Sequence, residues 1–366
     1  MAIEFERDVI VIGGGIFGLS CAWSCVKRGL SVTLVEKSTI GSGASGGIMG
    51  TLSPNVPETW SPKKQFQLDA LLSAEAHWNE IEAISTLPTG YGRVGRLIPI
   101  VDERALGHAN IRQEDAKTLW QGQAEWRVTD GGEYADWIAP EAASMGVIHE
   151  NLSARISPRL ACKSLARALE IKGCKILEGW EVTDLAQNQI SGPNGTLKAK
   201  TIILSAGVEC FSMLADILGP KAGFGVKGQS ALLTGLDMRT TPQIFAEGIY
   251  IIPHANGDIA IGSTTENDWE NAYDTDEKLD EVLTKAFAIA PILKTAQIVE
   301  RWAGLRPRCK KPDPMLGPVP GAPDLFLATG GYKIGFGIAH SAGEAIAEMV
   351  TGNAPYLPEK FFVRLK

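Results

Sequence analysis

Within its first 36 residues the chain sets out a strand, a glycine turn, a helix and a second strand in one fixed order. The β-branched run Asp8-Val-Ile-Val-Ile12 leads into Gly13, Gly15 and Gly18, spaced as G-x-G-x-x-G. Ser20, Cys21, Ala22 and Cys25 keep the next stretch slim, Gly29 ends it after Lys27 and Arg28, and Ser31-Val-Thr-Leu-Val-Glu36 reads as the second strand. Few folds accept that order. A run apolar on both faces belongs in a parallel sheet. The first glycine permits a sharp turn, the second lets backbone approach a pyrophosphate, and the third brings helix and sheet together. The helix N-terminus then presents free N–H groups and a positive dipole end to the phosphates. Glu36 closes the second strand, where a carboxylate can accept from ribose hydroxyls. The unit predicts a bound dinucleotide with an unphosphorylated ribose.

Val9 to Val26 matches a membrane span in length alone. Its leading flank carries Glu4, Glu6, Arg7 and Asp8 instead of basic residues, and Gly13 to Gly15 break it, so no membrane segment is expected. A net charge of −7 gives no reason to expect nucleic acid as a partner. The six cysteines show neither CxxC nor Cys/His ligand spacing, which excludes a structural zinc or a disulfide framework and points to a cytoplasmic setting. The five histidines, His254 and His340 among them, show no triad or metal spacing and read as structural or surface residues; no metal is expected.

Gly41-Ser-Gly-Ala-Ser-Gly-Gly47 is a second run of flexible backbone and hydroxyl donors directly after the second strand. An NAD domain has no need of it there. Extended FAD does, along its pyrophosphate and ribityl chain; a plain linker is the alternative. Further on, helical patterns cover Leu68 to Ile84, Glu103 to Trp120, Ser157 to Ile171 and Asp276 to Ile289. Strand patterns cover Gly95 to Val101, Cys174 to Leu177, Glu181 to Leu185, Thr201 to Ser205, Val226 to Thr234, Gly248 to Pro253, Asp258 to Ser263 and Leu325 to Gly331, the last followed by a helix. The expectation is an α/β fold of two discontinuous domains. Residues 1–52, 153–222 and 300–366 form a Rossmann-like FAD-binding domain on a parallel sheet, and 53–152 and 223–299 an α+β substrate domain on an antiparallel sheet.

The motifs Val-Ile-Gly-Gly-Gly-Ile-Phe-Gly (11 to 18), Glu36, Gly-Ala-Ser-Gly-Gly (43 to 47), Leu-Ser-Ala-Gly (204 to 207), Trp-Ala-Gly-Leu-Arg-Pro (302 to 307) and Thr-Gly-Gly-Tyr-Lys-Ile-Gly-Phe-Gly (329 to 337) resemble the D-amino acid oxidase superfamily of flavoproteins, in its glycine oxidase and sarcosine oxidase branches. The resemblance spans nearly the whole chain. It implies FAD held by Gly13, Gly15, Ile16, Phe17 and Gly18, by Glu36 and Lys37, and by Ser42, Gly43, Ala44, Ser45 and Gly47. Farther along it implicates Val182, Ala206, Gly207, Gly304, Gly331, Tyr332, Lys333, Ile334 and Gly335.

Arg306 matches the family arginine that clamps a substrate carboxylate, and Pro307 favours extended backbone there; a structural ion pair, with Glu300 one candidate partner, is the plainer alternative. Lys333 and Tyr250 match positions that assist it. Sarcosine oxidases attach FAD through a cysteine that would fall near Gly304, whereas Cys309 comes several residues later, so non-covalent FAD is expected. Tyr250 stands about where those enzymes carry the lysine that promotes reaction with oxygen, and Thr265 where a glycine oxidase has a pocket methionine. The implied reaction oxidises the C–N bond of a small amino acid such as glycine, a D-amino acid or sarcosine to an imine, with hydride passing to flavin N5 and hydrolysis following. Oxygen or another electron acceptor completes the cycle, and the oligomeric state is open. A dehydrogenase of 2-hydroxy acids or glycerol 3-phosphate and a flavin-binding subunit of a larger amine-oxidising complex are the alternative readings.

Overall fold

The fingerprint strand, Arg7–Ile12, lies inside a parallel sheet, flanked in register by Val32–Val35 and Gly195–Leu204. The computed structural model describes residues 6–364. The sheet order is Met315–Val319, Ala322–Thr329, Gly195–Leu204, Arg7–Ile12, Val32–Val35, Lys175–Leu177, parallel except for Met315–Val319, with the antiparallel pair Gln189–Gly192 and Asp184–Ala186 added off Gly195–Leu204. The carboxyl ends of Arg7–Ile12, Gly195–Leu204 and Ala322–Thr329 therefore lie side by side, the usual place for a ligand in such a sheet. Helices Ile16–Lys27, Pro158–Ile171 and Gly335–Val350 pack around it with a core that includes Trp23, Leu165 and Ile346.

A second sheet has the order Gln297–Cys309, Gly223–Thr234, Ile259–Gly262, Ile249–Pro253, Gln243–Ala246, Arg96–Pro99, Val147–Glu150, Trp126–Thr129. One face carries Ala231, Leu233, Ile251, Ile259 and Ile261 under the helix Glu277–Ile289, whose Leu279, Val282, Leu283 and Ala286 complete the core. Alternation sends the residues between them to the opposite face. A row in register there, Trp302, Ser230, Gly262 and Tyr250, crosses four strands and looks toward the parallel-sheet unit.

Three expectations need correction. The boundary placed at residue 300 falls inside the strand Gln297–Cys309, whose long pairing with Gly223–Thr234 puts it in the second sheet. The helix Pro62–Ser85, assigned to the second domain, buries Phe66, Leu71, Trp78 and Ile81 in the core shared with Arg7–Ile12 and Gly335–Val350. The strand expected over 181–185 is shorter and shifted, Asp184–Ala186, its extent set by antiparallel pairing of 184–186 with 189–191.

Candidate active site

The glycine fingerprint makes a tight cradle. A Cβ on Gly13 would lie 2.4 Å from Ser205 O, and one on Gly18 1.9 Å from Gly13 O. Close passage of backbone past backbone leaves no alternative to glycine there. Gly15 differs: its Cβ would meet only Ser45 Oγ, at 3.3 Å, so this face of the turn is open to a ligand. Ile16 and Phe17, both buried, start the helix.

The loop 41–47 is tied to this turn, which rules out a plain linker. Gly41 N donates to Gly14 O at 3.0 Å, and Ile16 N donates to Ser45 Oγ at 3.0 Å. Ser42, Gly43 and Ala44 lie exposed along it. Glu36 ends its strand beside the same turn, with Oε2 accepting from Gly14 N at 2.7 Å and Oε1 from Ser38 N at 2.9 Å. Each carboxylate oxygen can accept again, so ribose hydroxyls fit here. Lys37 instead turns to a half-exposed ion pair with Glu209, which raises its pKa. Val182, half-buried, belongs to a loop packed beside the sheet.

The far motif closes on the first. A Cβ on Gly331 would lie 2.9 Å from the Phe17 ring. Ser205 Oγ donates to Ala328 O and Thr329 Oγ1 to Gly207 O, fixing Ala206 and Gly207 between the strand ends. Gly335 opens the final helix, and a cavity of about 180 Å³ is lined by Asn55, Gln67, Gly331, Tyr332, Lys333 and Ile334. The larger cavity, about 500 Å³ beside Trp23, His77, His340 and Glu344, contains none of the expected site residues. Trp302 bridges the two units. Its ring would clash with a Cβ on Gly304, at 2.5 Å, and would meet one on Gly47 tightly, at 3.1 Å.

Arg306 is two residues beyond Gly304 on the same face. Its Nη2 donates to Lys227 O at 3.1 Å and Thr264 O at 2.7 Å, and Nη1 donates to Ser263 Oγ at 2.8 Å. The expected alternative of an ion pair with Glu300 fails, since Glu300 is held by both terminal nitrogens of Arg159. Arg306 has no acidic partner among the described residues, and its buried Nε has no hydrogen-bond partner. Burial pushes its pKa down while Tyr332 and Glu266 push it up, and the guanidinium stays cationic. The unbonded N–H groups of Nε and Nη1 lie on different edges. A carboxylate is then met by one N–H beside the Ser263 hydroxyl, which accepts from Nη1 and keeps its own proton to donate.

Glu266 supports this arrangement from below: Thr264, Lys278 and Gln229 donate to it. Burial raises its pKa, yet those bonds together hold it below the usual carboxylate value. Lys333 Nζ donates to Thr265 Oγ1 at 3.0 Å. Burial pulls its pKa down, and Arg306 and Arg308 add to that. Tyr250 pairs with Gly262, the residue before Ser263. Sequence reasoning missed its partner: Arg96 Nη1 donates to the Tyr250 oxygen at 2.9 Å, while Arg96 also pairs with Glu150 at 2.9 Å, both buried. The hydroxyl proton of Tyr250 is thus aimed elsewhere, free to serve a ligand. Only the burial of two opposite charges reveals this pair, and burial is not written in local spacing.

Comparison with known proteins agrees with this geometry. A family model described as DAO, FAD dependent oxidoreductase, matches residues 8–349. Glycine oxidase of Pseudomonas putida is 26% identical over 97% of this chain and 99% of its own. The crystal structure of glycine oxidase from Geobacillus kaustophilus, 23% identical, gives a TM-score of 0.86 with 98% of each chain covered. That of iminodiacetate oxidase from Chelativorans sp., 24% identical, gives 0.85 with 97% of this chain and 98% of the other covered.

Proposed function

Because the chain belongs to the DAO family of FAD-dependent oxidoreductases, we infer that it oxidises the C–N bond of a small amino acid bearing a carboxylate: glycine, a D-amino acid or an N-alkyl glycine. The observation that carries this reading is Arg306, a half-buried cation without an acidic partner among the described residues, bonded to Ser263 on the sheet face that looks toward the glycine cradle. Full names of relatives point the same way, glycine oxidase and iminodiacetate oxidase among them.

FAD, when bound, supplies the acceptor for the two electrons of the Cα–H bond. The glycine turn, the 41–47 loop and Glu36 hold its dinucleotide end. Gly335 opens the final helix, whose N-terminus would stabilise negative charge developing on the bound ring. Arg306 and Ser263 hold the substrate carboxylate, aided by the Tyr250 hydroxyl and Lys333, and so fix the direction in which the Cα–H points. Such positioning is worth several kcal/mol of barrier. The amine reacts neutral, so its lone pair forms the C=N bond as hydride leaves Cα; the N–H proton is then lost to solvent. Water adds to the imine and releases an oxo acid and ammonia or an amine. No side-chain base is required. No described helix is long and apolar enough to cross a membrane, and six free buried cysteines suit a reducing compartment.

Anaerobic mixing of the yellow holoprotein with glycine, sarcosine, D- and L-amino acids, 2-hydroxy acids and glycerol 3-phosphate tests the reading without a known electron acceptor. Bleaching of the flavin by amino acids is expected. Bleaching by hydroxy acids or glycerol 3-phosphate alone would move the protein to the other substrate class. Arg306→Ala should lower kcat/KM by about two orders of magnitude, the loss of a charge-assisted contact worth roughly 3 kcal/mol.

A further inference from the structure

Arg308 has no part in the reaction as described. It follows Arg306 by two residues in the strand Gln297–Cys309, so the two side chains leave the same face about 6.6 Å apart along the strand. Its backbone pairs with Phe224, and its guanidinium carbon lies 5.7 Å from the Phe224 ring centroid and 5.5 Å from that of Tyr332. The same Tyr332 ring has Arg306 Cζ at 5.5 Å and Lys333 Nζ at 5.7 Å. Tyr332 is held there in the left-handed region at φ 42°, a conformation that strains a residue with a Cβ, with its N–H donating to Pro307 O at 3.1 Å.

Three cations thus surround one phenol ring, and among the described residues none of them forms an ion pair with a carboxylate. The ring faces offset their mutual repulsion only in part. The α-carboxylate of a simple amino acid neutralises one charge of the three. Two remain, fixed against aromatic faces and set a short distance from the first.

The geometry points to a dianionic substrate, an amino acid with a second carboxylate two or three atoms from the first, which Arg308 holds across the Tyr332 ring while Lys333 stays with the first. This rests on the amino acid oxidase reading. N-carboxymethyl amino acids and short acidic amino acids share this chemistry.

The test compares matched pairs by anaerobic flavin reduction in the holoenzyme: sarcosine with iminodiacetate, and D- and L-alanine with D- and L-aspartate. The dicarboxylate of at least one pair should be preferred about tenfold or more in kcat/KM. In Arg308→Gln that ratio should collapse toward one, and Arg308→Lys should restore part of it. Equal use of both members by the wild type overturns the proposal and leaves the amino acid oxidase reading standing, as does an unchanged ratio in Arg308→Gln. Loss of FAD from both Arg308 variants overturns it too, by placing the residue at the cofactor. If no amine reduces the flavin, the reading beneath it falls as well.

Discussion

The Arg306 guanidinium fills the space that a side chain on Gly228 would take: a Cβ there would lie 2.5 Å from Nη2 and 2.6 Å from Cζ. Gly228 pairs with Gly304 in the neighbouring strand, where the space of a missing side chain is taken by Trp302 instead. The obstructed atoms end a flexible side chain, and Gly228→Ala should therefore fold with its FAD and displace the guanidinium. The expected result is a tenfold or greater rise in KM for a carboxylate substrate, with the flavin spectrum retained. Unaltered KM would show that Arg306 does not need this place.

The nucleotide half of the fold was legible because its signals are local. Glycine spacing, a β-branched strand and a closing acid all fall between Asp8 and Glu36, and the sheet pairs them as their order requires. The second sheet was legible only at its centre. Gln243–Ala246 and Trp126–Thr129 are four-residue strands, too short to show alternation, and join the sheet through partners distant in the chain. Arg306 could be singled out by its motif, but its anchors could not: two are the carbonyls of Lys227 and Thr264, which carry no side-chain signature. The Arg96 and Glu150 pair behind Tyr250 was hidden for a similar reason. Each residue alone reads as an ordinary surface charge.

Lys333 should leave its mark on the pH profile. Burial, with Arg306 and Arg308 behind it, lowers its pKa below that of a free lysine. The protonated form attracts a carboxylate, so affinity is full at neutral pH and weakens as pH rises through the lowered pKa. Competitive inhibition by a non-reacting carboxylate, followed from neutral to alkaline pH, should show that loss. Lys333→Arg should move it to higher pH. A wild-type inhibition constant that is flat across the range would remove Lys333 from the binding site.

Gly18 offers a test of the cofactor cradle itself. A Cβ 1.9 Å from Gly13 O must push helix and turn apart, and Gly18→Ala should yield colourless or unstable protein. Gly107 is the matched control. It lies within the helix Glu103–Leu119 with nothing near its hypothetical Cβ. Gly107→Ala should keep the yellow colour and gain about 0.5–1 kcal/mol from the unfolded chain's lost freedom. Tight FAD binding by Gly18→Ala would contradict the packing described here.

Acid should destabilise the fold through a histidine pair remote from the site. His340 of the final helix stacks on His77 at 4.9 Å between centroids, with 23° between the planes. The Ser73 hydroxyl donates to Ala70 O, so its oxygen accepts from His340 Nε2 at 3.1 Å, and His340 Nδ1 is left buried without a partner. Burial lowers the pKa of His340 from 6.5 to about 4, and that of His77 falls for the same reason, with His340 adding to it. Both rings are neutral in the folded protein and charge readily when unfolded. Between about pH 6.5 and 4 the unfolded chain therefore binds more protons, and stability falls as pH falls through that window. At pH 5 the His340 contribution is roughly 2 kcal/mol. Urea unfolding at pH 7 and pH 5 should show the loss, and His340→Gln should shrink the difference between the two. An equal difference in the variant would assign the acid sensitivity to other groups.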